Sequence, residues 1–237
     1  MVKVFSLGGS IVVPDRVDIP FLQAFLNKII QFLQDNPDTK LILVVGGGGP
    51  ARTYQEALKA LSNPIDSRNH QDTSDINQRL DWIGIMATRL NAELVKQSLG
   101  TWCTDPVVLD PTGPITFTGR VLVGAGWKPG FSTDYDAVVL ADRFQATEVV
   151  NLSNISQVYT ADPKQDPQAK PLESISWEDF TALVGEDWKP GSNLPFDPIA
   201  TKLAKEKGLK VIAAGGRDLV NLENLLHNKP FIGTVIG

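Results

Sequence analysis

The sequence predicts an α/β protein, a mainly parallel sheet with helices on both faces. Three features carry that expectation. Short apolar runs such as Leu41-Ile42-Leu43-Val44-Val45 recur, and an unbroken run of that length reads as a strand buried on both faces. Between the runs lie segments with apolar residues three and four positions apart, the spacing of amphipathic helices. Glycine-rich stretches beginning at Gly8, Gly46, Gly124 and Gly215 follow the runs. In a parallel sheet these strand ends share one edge, and ligands bind there.

The first strand is residues 2–7, followed by Gly8-Gly9-Ser10. Residues 21–33 are apolar at 21, 22, 25, 26, 29, 30, 32 and 33, which makes a helix with Asp18 as its expected N-cap. Asn36-Pro37-Asp38 closes this unit. The second strand, residues 41–45, runs into Gly46 to Gly49 and then Pro50-Ala51-Arg52. Pro50 suits a first helical position, where a missing N–H costs nothing. That helix is expected to reach about Leu61, with residues 62–74 as a polar loop. A long helix at about 75–99 places Leu80, Ile83, Met86, Ala87, Leu90, Leu94 and Val95 on one face, and Gly100 ends it.

Residues 106–109, 115–117 and 121–123 read as short strands. A third glycine-rich turn, residues 124–134, leads into a helix over 134–144. Residues 148–152 form another buried strand and 153–166 a loop. A helix over 177–183 is expected to be capped by Ser176, and Trp188-Lys189-Pro190-Gly191 opens a loop. Pro198 starts a helix to about Lys207. A strand at 209–213, a helix at 219–226 and a short strand at 233–236 finish the chain. The tetrapeptide WKPG occurs at 127–130 and 188–191, which common turn chemistry explains better than an internal repeat.

Composition narrows the function. The 237 residues are 42% hydrophobic, enough for a sizeable core. A net charge of −5 and a pI near 5.1 argue against a broad nucleic-acid-binding surface. The single cysteine, Cys103, cannot form an intrachain disulfide, so a cytoplasmic location is expected. No apolar run approaches the roughly 20 residues that span a bilayer. The N-terminus reads as a strand rather than a signal peptide. Two histidines and one cysteine argue against a His/Cys metal cage, and no protein metal ligand is assigned.

Several glycine turns on one edge suit a ligand with several phosphates. The GxxxxGK[ST] loop is absent, as is a GxGxxG fingerprint after the first strand. The HRD and DFG elements of protein kinases are absent too. Phosphoryl transfer needs positioning and positive charge, and Arg52, Lys128 and Lys189 lie in or beside glycine turns. Asp134 and Asp197 stand at helix starts, either to orient a lysine or Mg2+ or simply as N-caps.

Six ordered blocks, VFSLGGSIVVP, LVVGGGGPAR, DWIGIMATRLNAEL, GFSTD, VYTADP and FDPIATKLA, resemble the amino acid kinase family over nearly the whole chain. Within it they are most similar to the archaeal-type uridylate (UMP) kinases. The resemblance implies one three-layer αβα sandwich, with an acceptor-binding lobe at about 1–145 and an ATP-binding lobe at about 146–237. The implied reaction transfers the ATP γ-phosphate to UMP with Mg2+, in pyrimidine nucleotide biosynthesis. Another small-acceptor kinase, such as isopentenyl phosphate kinase, and a nucleotide storage protein are the alternatives. Isopentenyl phosphate kinases are expected to carry a histidine in the acceptor site, and His70 and His227 lie outside the matching blocks.

The resemblance also implies residue roles. For UMP they are Gly47, Asp81, Gly126, Phe131, Ser132 and Thr133, with Gly48 at the junction of the two nucleotides. For ATP they are Gly9, Ser10, Gly48, Arg52, Ser153, Asn154, Tyr159 and Asp162. Asp134 would organise the reaction centre, Arg52 and Lys189 would meet phosphate, and Asp197 supplies a further carboxylate. The long helix is implied to pack on its copy in a dimer, with three dimers forming a hexamer. Departures from the family pattern are Ser6 where many members have lysine, SNISQVY at 153–159 in place of TNVDGVY, and Gly49 in place of lysine or asparagine.

Overall fold

Alternation of side chains along the strands explains the architecture of the computed structural model, which describes residues 1–66, 73–163, 166–185 and 194–237. In β1 (Val2–Leu7) Phe5 and Leu7 face one core and Val4 the other. In β2 (Lys40–Val45) Leu41, Leu43 and Val45 face the first and Ile42 and Val44 the second. This period of two in strands that are apolar on both sides demands a layer of helices above and below. The first core is covered by α2 (Ile19–Asp35), the C-terminal half of α4 (Thr73–Leu99) and α8 (Leu219–Leu226). The second is covered by α5 (Thr133–Arg143), α6 (Trp177–Val184) and α7 (Pro198–Glu206). The result is the expected three-layer αβα sandwich.

The remaining strands are β3 (Val121–Gly124), β4 (Glu148–Ser153), β5 (Ser174–Ile175), β6 (Lys210–Gly215) and β7 (Thr234–Ile236). Among the described residues they form one sheet in the order β3-β2-β1-β4-β6-β7-β5. The first five strands of that order are mutually parallel, and β7 runs antiparallel to β6. Gly8, Gly46, Gly124 and Gly215 therefore stand at the carboxyl ends of four parallel strands, on one edge as the sequence predicts. Asp18 caps α2 through Phe21 N–H at 3.2 Å, and Ser176 caps α6. Asp197 caps α7 ahead of Pro198. Among the described residues no helix is long and apolar enough to cross a membrane.

Five expectations need correction. Gly9–Val12 forms a one-turn helix, α1, rather than an open turn. The helix after β2, α3 (Gly48–Asp66), begins before Pro50, which falls third, where a backbone N–H is still not needed. It also passes Leu61, because buried Ser62 accepts from Arg79 Nη2 of α4 at 3.1 Å and holds the two helices together. Of the loop expected at 62–74, residues 62–66 and 73–74 are helical, and 67–72 lie outside the described residues.

Residues 106–109 and 115–117 are not strands, apart from a single bridge between Val108 and Gly124. Pro106, Pro111 and Pro114 remove ladder donors there. The buried Asp105 carboxylate instead accepts the N–H groups of Thr118 and Gly119, both at 2.8 Å. Finally, the apolar residues of α4 do not share one face. Ile85, Ala92 and Val95 are buried, whereas Trp82, Met86 and Leu90 are exposed.

Candidate active site

The glycine turns at the carboxyl edge are built to touch one another. A Cβ on Gly9 would lie 2.0 Å from Gly48 N and 2.6 Å from Gly46 C. Gly48 adopts φ +66°, a conformation that favours glycine. Backbone meets backbone, so the turns after β1 and β2 form one unit. This contact is a reason for glycine beyond the approach of a ligand.

Helix α4 fixes the neighbouring turns with polar side chains on its core face. Asn91 Nδ2 donates to Gly46 O at 2.9 Å and Gly47 O at 3.0 Å. Thr88 Oγ1 accepts from Gly126 N at 2.8 Å. Arg89 donates to Gly126 O at 3.4 Å and Trp127 O at 3.0 Å. Two turns closer to the start of α4, Asp81 Oδ2 accepts from Gly130 N at 2.9 Å. From α5, Asp136 Oδ2 accepts from Trp127 N at 3.2 Å.

These anchors enclose a cleft of about 190 Å³ lined by Gly47, Asp81, Gly126, Phe131, Ser132 and Thr133, the six residues assigned to the acceptor, together with Gly48. Ala51, Gln55, Gly84, Ile85 and Thr88 complete the lining and were not singled out in the sequence. Thr88 and Asn91 had a signal. They are polar residues at helical spacing from Ile85, Ala92 and Val95, on a face that otherwise reads as core.

A second, larger pocket of about 530 Å³ lies beyond the carboxyl end of β4. Asn154, Tyr159 and Asp162 line it beside Ser156 and Gln157, the two residues that depart from the family pattern. Its apolar wall is Leu183 and Val184 from α6 with Leu194 and Pro195, which sequence reading missed because they are far apart in the chain. Ser153 is not in the lining. It ends β4, and its hydroxyl accepts from Ile155 N at 3.1 Å.

Asp134 directly follows Thr133 of the smaller cleft at the start of α5 and is in the lining of neither pocket. The Ser6 hydroxyl, buried in central strand β1, donates to Asp134 Oδ1 at 2.8 Å. Burial pushes the Asp134 pKa up to about 6; Ser6 works against that shift and the nearby Asp197 charge adds to it. Asp197 is buried, and Oδ1 accepts from Ala200 N at 2.7 Å. Burial raises its pKa too, opposed by N–H groups of the helix it caps. Among the described residues its Oδ2 is buried with no hydrogen-bond partner within bonding geometry, although the Ser132 hydroxyl lies near enough to favour the carboxylate.

Not every assigned residue joins the site. Gly9 and Ser10 open α1 outside the lining of both pockets. Arg52 is exposed on α3, and its Nη2 donates to Pro14 O at 3.1 Å. Lys189 lies outside the described residues. His227 packs edge-on against Phe32 beyond the end of α8, and among the described residues, which do not include His70, no histidine lines the 190 Å³ cleft.

Among the described residues no group of three or more His, Cys, Asp or Glu is arranged to hold a metal ion. Mg2+ arriving on a triphosphate needs only one or two carboxylates. The unpartnered Asp197 Oδ2, with Asp134 beside it, fits that lesser demand.

Known proteins resemble this chain in sequence and in fold. A family model described as the amino acid kinase family matches residues 1–214. The uridylate kinase of Methanospirillum hungatei is 34% identical over 236 residues, 98% of this chain and 93% of that one. The uridylate kinase of Thermococcus kodakarensis is 31% identical over 237 residues, 98% of both chains. A crystal structure of uridylate kinase from Archaeoglobus fulgidus superposes with a TM-score of 0.78 at 28% identity, over the full length of both chains.

Proposed function

The chain belongs to the amino acid kinase family, and on that basis we propose that it transfers the γ-phosphate of ATP to UMP, giving ADP and UDP. One observation carries the reading. The 190 Å³ cleft lies at the ends of β2 and β3, the 530 Å³ pocket at the end of β4, and β1 runs between them with Asp134 bonded to its Ser6. Two ligands bound there meet over Asp134 and the joined glycine turns.

Each opening suits its ligand. The apolar wall of Leu183, Val184, Leu194 and Pro195 accepts the face of a purine, and Asn154, Gln157 and Asp162 offer polar groups for its edge and the ribose. In the smaller cleft Asp81 accepts from acceptor hydroxyls, and the Phe131 ring packs on a base. The acceptor phosphate then attacks the γ-phosphate in line. Backbone N–H groups of the glycine turns stabilise the charge that develops, as do Arg52, once it leaves Pro14, and Lys189. Asp134 orients the cations around the transferred group. Mg2+ held on the phosphates by Asp197 and Asp134 would neutralise part of that charge.

The reading places the enzyme in pyrimidine nucleotide biosynthesis in the cytoplasm. The acceptor-binding lobe is about 1–145 and the ATP-binding lobe about 146–237. We also propose a homodimer along α4, with three dimers forming a hexamer. The exposed apolar residues Trp82, Met86 and Leu90, four positions apart, support that contact.

An acceptor panel with ATP and Mg2+ tests the reaction. UMP is expected to give UDP, ahead of CMP and isopentenyl phosphate. Phosphorylation of another acceptor but not UMP would overturn the assignment, and nucleotide binding without turnover would favour the storage alternative.

A further inference from the structure

The turn that follows β3 is held in an unusual way. Gly126 and Trp127 have four backbone polar groups between them, and a side chain meets every one. Three contacts come from α4: Thr88 accepts Gly126 N–H, and Arg89 donates to the carbonyls of Gly126 and Trp127. The fourth comes from α5, where Asp136 Oδ2 accepts Trp127 N–H at 3.2 Å. Asp136 is 1% exposed, and its Oδ1 has no hydrogen-bond partner. A carboxyl buried with half its capacity unused is a costly way to fill space. Its pKa rises to about 8, mainly through burial and further through Asp134 and Asp110, against the N–H of Trp127 and the charge of Arg89. Among the described residues it forms no salt bridge that would repay the burial.

Its position gives the reason. Asp136 lies two residues after Asp134 in the same helix. The turn it holds carries Gly126, which lines the acceptor cleft, and continues to Phe131, Ser132 and Thr133, which also line it. The far end of the turn already meets α5 through the Ser132 cap and the Phe131–Tyr135 ring contact. Without Asp136 the backbone of Gly126 and Trp127 would be held by side chains of α4 alone, and that end of the turn could move relative to the reaction-centre helix.

We infer that Asp136 is a positioning residue for the acceptor: through Trp127 N–H it locks the Gly126–Phe131 turn onto the helix that carries Asp134. This rests on reading the cleft as the UMP site. The role needs only an acceptor oxygen, so an amide can replace the acid.

Three variants of the full chain test it, with separate KM values for UMP and ATP. Asp136→Leu keeps the branched shape, though its methyl groups are bulkier than the carboxyl oxygens, and removes the acceptor. It is expected to raise the UMP KM about five- to tenfold, the scale of one lost hydrogen bond. The ATP KM should stay within about twofold. Asp136→Asn should keep a near-normal UMP KM. Asp136→Ala carries the same test if the leucine variant does not fold. Equal rises in both KM values, no change in either, or failure of asparagine to rescue would each overturn the inference. In the unaltered protein the Trp127 amide should be strongly protected from hydrogen exchange, and rapid exchange would also overturn it. That last measurement needs no substrate, so it stands even if UMP proves not to be the acceptor.

Discussion

Asp134 is shaped by two opposing neighbours. Burial and Asp197 favour its protonated form, and the Ser6 hydroxyl favours the carboxylate. Its pKa is raised, so the working ionised form is lost as pH falls through about 6. The acid limb of kcat/KM for ATP reports this group in the free enzyme. Ser6→Ala removes the donor that stabilises the anion, so the limb should move to higher pH, and an unmoved limb would show that Ser6 does not control Asp134. Asp134→Asn should lower kcat by roughly 10²-fold or more, the scale of losing one preorganised electrostatic group. Sequence reading identified Asp134 from its place at a helix start but gave Ser6 no partner, because the two lie on different elements. Asp136 escaped for a related reason. Nothing local distinguishes an acid on the buried side of α5 from one on the solvent side.

At the scale of elements, the turns after β1 and β2 were legible as glycine turns, but not as partners. Gly9→Ala would drive a Cβ into the backbone of Gly46, Gly47 and Gly48. Neither side is a flexible side chain, so a loss of roughly 1–3 kcal/mol or more is expected in urea melts. Gly113→Ala is the control. Its nearest neighbour would be the Asp110 side chain at 3.5 Å, an ordinary contact, and the change should stay within about 0.5 kcal/mol. Similar losses in the two variants would refute the packing argument. The misread strands at 106–109 and 115–117 show where periodicity fails. Val107 to Leu109 form an apolar run and Ile115 and Phe117 alternate with Thr116, yet the prolines remove ladder donors and the Asp105 carboxylate takes over the hydrogen bonding. In α4 the period was right and the face was wrong, since one helix carries a core stripe and an exposed stripe at once.

The exposed stripe matters at the scale of the whole molecule. Leu90 is 72% and Met86 57% exposed, so neither gains much from the fold of a single chain. Light scattering at micromolar concentration should give a mass well above the 25.8 kDa of one chain, at six times that value for the full assembly. Leu90→Glu should shift the protein to smaller species with little effect on the fold. A wild-type mass of one chain would dismiss the dimer. The sandwich itself was the most legible feature of the sequence. Strands apolar on both sides leave few alternatives, whereas the pocket walls depend on residues brought together only by the finished fold.

The strand order has a consequence for synthesis. Strand β1 is the middle one of the five parallel strands, with Val4 paired to Ile42 on one side and to Val149 on the other. The ribosome delivers β2 soon after β1, but β4 emerges more than a hundred residues later. Throughout that interval the nascent chain presents β1 as an open edge, flanked by Val4, Phe5 and Leu7, that any passing strand can extend. The strand that holds Ser6 beside Asp134 is thus also an adhesive edge of the growing polypeptide, and a chain interrupted before residue 148 would leave the ribosome with it uncovered.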